Sequence, residues 1–138
     1  MSLDSIRQSL VTAVEAAKTG FTDYTLVIEY SNVNKVDTQT QHNPYLMVDT
    51  KFTGGEQVNL SNHPTHRWTG MLELTACIKC GQGTAKANKL LDHFYPQLQA
   101  KTFGAVRTYM ADFGRGSEQL GWYRQTLYLP FWCDQITQ

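Results

Sequence analysis

The stretch Trp68-Thr69-Gly70-Met71-Leu72-Glu73-Leu74-Thr75-Ala76-Cys77-Ile78 decides the fold. Trp68, Gly70, Leu72, Leu74, Ala76 and Ile78 take alternate positions, and Thr69, Met71, Glu73, Thr75 and Cys77 take the others. A period of two sends successive side chains to opposite faces, so the stretch predicts a long strand with one apolar face. Gly81-Gln82-Gly83 ends it, and a helix is expected from about Thr84. The apolar stripe of that helix is Ala87, Leu90, Leu91 and Phe94, and Pro96 marks its end or a bend.

Upstream, Ile6, Leu10, Val14 and Ala17 recur at spacings of four, four and three, the stripe of an amphipathic helix. Asp4 suits its first turn, Lys18 its last, and Gly20 its stop. Thr25 to Tyr30 reads as a strand. Ser31 to Asn43 is polar, aperiodic and long, and predicts a loop. A second strand is expected over Tyr45 to Phe52, broken by Gly54-Gly55, with a short edge strand at 57–60. Two further strands are expected, near Gly104 to Ala111 and Gly121 to Trp132, joined by a flexible loop from Asp112 to Leu120. Consecutive strands without intervening helices disfavour a doubly wound parallel fold. The expectation is one α+β domain over residues 1–138, with a mostly antiparallel sheet of about five strands and two helices packed on one face.

Composition narrows the function classes. Twelve basic residues balance twelve acidic ones, so no net charge marks a nucleic-acid partner. No apolar run approaches the roughly 20 residues that span a bilayer. Three cysteines are sparse and odd in number, which predicts reduced thiols in a cytoplasm.

Four residues have the ligand types of a zinc site: His63, His66, Cys77 and Cys80. If the intervening stretch is one strand, the two pairs lie about 35 Å apart at roughly 3.3 Å per residue. Convergence on one ion requires a hairpin within it, and Gly70 is the one turn residue there. Cys77 and Cys80 precede the glycine turn, away from the helix N-terminus that activates a redox cysteine. Gly81-Gln82-Gly83 lacks the third glycine of a dinucleotide fingerprint, since Lys86 stands there. No Gly-x-Ser-x-Gly elbow occurs. Asp49 and Glu73 are two strand carboxylates able to meet in a sheet, and the expectation for them is a solvated strand face. Arg107, Arg115 and Arg124 accompany Trp122, Tyr123 and Tyr128 in the last third of the chain, side-chain types enriched at interface hot spots.

Taken in order, the first helix, Arg67-Trp68-Thr69-Gly70, Met71 to Thr75, Gly81-Gln82-Gly83-Thr84, Phe94-Tyr95-Pro96 and Leu127-Tyr128-Leu129-Pro130-Phe131-Trp132 resemble the phage tail-terminator-like family. The resemblance implies an α+β fold and a self-assembled ring, commonly a hexamer, that caps the tail tube and offers a joining surface for the head. It implies no catalytic residue, no cofactor and no metal. The implied partners are further copies of the chain, the tail tube protein and a head-completion protein, with neither membrane nor direct nucleic-acid contact. The implied location is the host cytoplasm during assembly and then the virion tail. On that reading the interface candidates are Asn34, Gln39 and His42 in the polar loop, Phe113 and Arg115 in the glycine-rich loop, and Trp122 and Arg124 on the last strand. Two alternatives stand beside it. One is a zinc module built on His63, His66, Cys77 and Cys80. The other is a non-catalytic ligand-binding domain with its pocket between helices and sheet.

Overall fold

A computed structural model describes residues 3–30, 41, 43–60, 62–81, 84–114, 116–119 and 121–136. The element order is α1 (Leu3–Thr19), β1 (Ile28–Tyr30), β2 (Tyr45–Gln57), β3 (Thr65–Lys79), α2 (Ala85–Leu98), β4 (Thr102–Phe103), β5 (Val106–Thr108), β6 (Asp112–Phe113), β7 (Ser117–Gln119) and β8 (Trp122–Ile136). The chain is α+β, with two helices and one mostly antiparallel sheet among the described residues. The sheet runs β1-β2-β3-β8-β5-β4, and β6 and β7 also pair with β8. The parallel pair is β1 with β2.

The alternating stretch does form a strand, and it sits at the sheet's centre. β3 spans 15 residues without interruption, between β2 on one side and β8 on the other. Leu72, Leu74, Ala76 and Ile78 are fully buried beside Leu46 and Val48 of β2 and Leu127, Leu129, Phe131 and Cys133 of β8. The same cluster contains Ile6, Leu10, Val14 and Ala17 of α1 and Ala87, Leu90, Leu91, Phe94 and Leu98 of α2. Both helices therefore pack on one face of the sheet. Their amphipathic stripes and the strand alternation are two halves of one core.

Polar contacts lock the helices in place. Tyr30 donates its hydroxyl proton to Glu15 Oε1 at 2.5 Å, tying β1 to α1. His93 Nε2 lies 2.7 Å from the Ala17 carbonyl, joining α2 to the last turn of α1. The buried Thr108 hydroxyl donates to the Leu98 carbonyl at 2.6 Å and accepts from the Lys101 amide at 2.9 Å, anchoring the end of α2 to β5. Pro96 lies inside α2, in its last turn, rather than ending it.

The sheet departs from the sequence expectation in three places. First, it has eight strands where about five were expected. The segment expected as one strand over 104–111 forms only the short β5, after a turn that joins it to β4 just upstream, and β6 and β7 arise from the segment expected to be a flexible loop. Second, β1 is only three residues long, Ile28–Tyr30, where a strand from Thr25 was expected. Third, β2 does not break at Gly54-Gly55. A bulge between Phe52 and Gly54 absorbs one residue, and pairing with β3 continues to Gln57.

The continuation of β2 and the added strands β6 and β7 share a physical reason. A Cβ on Gly55 would strike the Trp68 ring and the His66 imidazole, which stack on each other at 4.2 Å. One on Gly70 would strike the Phe131 ring and the Lys51 carbonyl. One on Gly114 would meet the Tyr128 ring, and one on Gly116 the Tyr123 phenol. These glycines are seats for aromatic rings from the neighbouring strand, not interruptions.

Candidate functional site

Among the described residues, the second face of the sheet carries no helix. The strand registers place Arg67, Thr69, Met71, Glu73, Thr75, Cys77 and Lys79 of β3 on it, opposite Asp134, Trp132, Pro130, Tyr128, Thr126, Arg124 and Trp122 of β8. β2 adds Tyr45, Met47, Asp49 and Lys51, and β5 adds Arg107. Along its middle, from Thr69 to Thr75 and from Thr126 to Pro130, every one of these side chains is half-buried.

At one end an aromatic ring is clasped by cations. The Arg67 guanidinium lies 4.5 Å from the Trp132 ring centroid and that of Arg107 lies 5.1 Å away. Arg67 also makes a two-pronged contact with Asp134, Nε to Oδ1 at 2.8 Å and Nη2 to Oδ2 at 3.0 Å. The pairing holds the Asp134 carboxyl below its ordinary range and raises Arg67. Trp68, on the other face, donates its indole proton to Gln135 Oε1 at 3.0 Å. This end of the β3–β8 pair is thus pinned on both sides.

In the middle, Asp49 and Glu73 are direct cross-strand partners. Lys51 bridges them, 3.0 Å from Glu73 and 3.9 Å from Asp49, and these contacts raise its pKa. The two carboxylates are therefore neutralised by a neighbour on the strand face. Thr75 and Thr126 face each other at 3.1 Å.

The other end is closed by a small second cluster of Tyr45, Cys77 and Trp122, with Met47 against it. The Tyr45 and Trp122 rings meet edge to face at 5.1 Å. Burial pushes the Cys77 thiol up to about 11 and the Tyr45 phenol up to about 12. Cys77 is then a protonated, packed thiol at neutral pH.

The sequence candidates fall into three groups. Asn34, Gln39, His42 and Arg115 lie outside the described residues. Phe113 is half exposed on β6, with its ring 5.7 Å from that of Tyr95, and Arg124 is half-buried opposite Cys77. Trp122, expected as an accessible contact, is only 3% exposed and belongs to the second cluster. An aromatic one residue past a turn glycine gave no hint of which face it would take. Conversely, Trp132 and Arg67, which Arg107 joins here, are not among the interface candidates of the sequence. The signal lay in the alternation of three separate strands: Arg67 of β3, Arg107 of β5 and Trp132 of β8 each take the positions out of phase with the core-facing residues.

The possible zinc ligands do not converge. His66 pairs with Gln57 and Gln135, while Cys77 pairs with Tyr45 and Arg124, at opposite ends of an unbroken strand. At about 3.3 Å per residue those ends are some 35 Å apart. Among the described residues no three His, Cys, Asp or Glu side chains come together to hold a metal ion. The layer between helices and sheet, where a ligand pocket was the alternative, holds the side chains of the main core among the described residues. Two shallow clefts lie elsewhere. One, of about 580 Å³, is lined by Glu15, Lys18, Phe21 and Tyr24; the other, of about 410 Å³, by Asp23, Lys89 and His93. Among the described residues no helix is long and apolar enough to cross a membrane.

No protein-family model matches the chain, and no curated protein matches it significantly. A solved structure, of a protein with no functional name, matches at a TM-score of 0.71 and 12% identity, over 100% of this chain and 99% of its own. That likeness shows the fold.

Proposed function

We propose that the chain is a structural subunit of the phage tail-terminator type, which assembles into a ring on the end of a tail tube and contributes to tail completion and head joining. The observation that carries this reading is the helix-free sheet face. It presents Trp132 between Arg67 and Arg107, with Met71, Tyr128 and Pro130 alongside. Aromatic residues, Met and Arg are the types enriched in interfaces. A stable contact needs about 800 Å² per partner, which a sheet built on two 15-residue strands is large enough to supply. The family resemblance runs through the same residues, Arg67-Trp68-Thr69-Gly70 and Leu127 to Trp132.

Subunits associate through this face and through Phe113, with the tube protein and a head-completion protein as further partners. The role needs no cofactor and no catalysis. The test is electron microscopy of tail tubes with and without the purified protein. Rings at tube ends, lost with Trp132→Ala while the circular dichroism spectrum is kept, are the expected result. Failure of the protein to bind tube ends, or full binding by the variant, overturns the reading.

A further inference from the structure

β2 leaves a long sheet edge without a strand partner among the described residues. Its first residues, Leu46 to Val48, pair with β1, but from Thr50 to Gln57 only β3 lies beside it. Residues 51–60 are exposed throughout, including Phe52, Val58 and Leu60, the last at 98%. An edge of this length is a template for pairing with another chain unless it is blocked.

The backbone bonds fix which residues offer their amides outward. The Leu46 amide donates to the Val27 carbonyl at 3.0 Å, away from β3, so Thr50 and Phe52, on the same alternation, also face outward. The Val58 amide donates to the Thr65 carbonyl at 2.9 Å, toward β3, so Gly54 and Glu56 face inward. The bulge between Phe52 and Gly54 has switched the phase. The outward set is therefore Thr50, Phe52, Gly55 and Gln57.

We infer that a second copy of this chain adds to the β2 edge, antiparallel, about a two-fold axis between Thr53 and Gly54. In that register Thr50 faces Gln57 and Phe52 faces Gly55, and each of these four residues is outward. The hydrogen-bonded pairs of an antiparallel ladder form twice over on each side of the axis. Lys51 of each copy, exposed and held at 3.0 Å by its own Glu73, falls directly opposite Glu56 of the other on the helix-free face, so two cross-copy charge pairs flank the axis. Phe52 meets the glycine over which Trp68 leans, which places apolar surface against apolar surface. Charge also disfavours two alternative symmetric registers. An axis on Lys51 sets Lys51 against Lys51, and an axis on Glu56 sets Glu56 against Glu56. The occupant is thus selected by charge, face and hydrogen-bond phase together. The bulge, a feature that usually discourages edge pairing, here leaves one register open.

This contact runs along the β2 edge rather than over the Trp132 clasp that carries the ring reading, although its ion pairs lie on the same face, and its test is run in the Trp132→Ala background so that the two readings fail independently. The measurement is sedimentation velocity over a concentration series. The expected result is a two-copy species that either Lys51→Glu or Glu56→Lys weakens roughly tenfold or more, since each reversal turns both cross-strand pairs repulsive. An equimolar mixture of the two single variants restores it, as does the double variant Lys51→Glu/Glu56→Lys. Circular dichroism of each variant confirms the fold at these exposed positions. Absence of a two-copy species, single variants that associate like the parent chain, or a mixture no tighter than its components overturns the inference.

Discussion

Replacing Gly70 by alanine asks whether β3 is held straight by a seated aromatic ring. In a strand interior alanine ordinarily improves on glycine, by about 0.5–1 kcal/mol. Here the added methyl would strike two groups at once, the Phe131 ring and the backbone carbonyl of Lys51. Phe131 is itself buried, with its outer edge against Phe52 at 5.8 Å between centroids, so the ring has little room to retreat. The carbonyl belongs to the β2–β3 ladder and moves only with the strand. Overpacking of a closed site costs about 1–3 kcal/mol, and the rigid carbonyl places this case in the upper half of that range. For a chain of this size roughly 2–3 kcal/mol lowers the melting temperature by about 10 °C. Urea denaturation is the assay: the midpoint should fall with an unchanged slope. Phe131→Leu removes the offending ring atoms, so the double variant should recover about 1 kcal/mol relative to additivity. A neutral or stabilising Gly70→Ala, or strict additivity with Phe131→Leu, refutes the reasoning.

Three further outcomes follow from the structure. Ala100 holds a positive φ of 51° just past the end of α2, a position that favours glycine, so Ala100→Gly should raise stability by about 0.5–1 kcal/mol in the same urea assay. Iodoacetamide should alkylate Cys80, which is exposed, in the native protein, while Cys77 and Cys133, both buried, react only after unfolding; peptide mass spectrometry reads the sites. Stability should decline with rising pH above about 9. The Cys77 thiol is raised from 9.0 to about 11 and the Tyr24 and Tyr45 phenols from 10.0 to about 12, so the folded chain holds protons that the unfolded chain releases. That contribution is complete below pH 9 and is lost as pH climbs through 11 and 12, which denaturant midpoints across pH 8–11 will register as a steady fall.

Both helices, β3 and the covered face of the sheet were legible because each rests on a long periodic signal. Ile6 to Ala17 and Ala87 to Phe94 carry the helical stripe, and Trp68 to Ile78 the strand alternation. Glycine was misleading for a physical reason. Gly55 reads as a strand breaker until the ring that needs its missing Cβ is known, and Trp68 lies 13 residues away in sequence. The same holds for Gly114 and Gly116, whose seated rings, Tyr128 and Tyr123, belong to β8, the strand with which β6 and β7 pair. The candidate surface was half legible. Its aromatic and arginine content could be read from the last third of the chain. Which of those side chains face away from the helices depended on a register that no local pattern sets: Trp122 lies buried with Tyr45 and Cys77, and Trp132 lies half-buried between Arg67 and Arg107.

The most direct test of the central claim is native mass spectrometry of the purified chain over a concentration series, with Trp132→Ala measured alongside. The account predicts a metal-free closed ring of the parent chain, with six copies the leading stoichiometry, and loss of that ring in the variant. A parent chain that stays monomeric at every concentration, or a variant that forms the ring equally well, contradicts it.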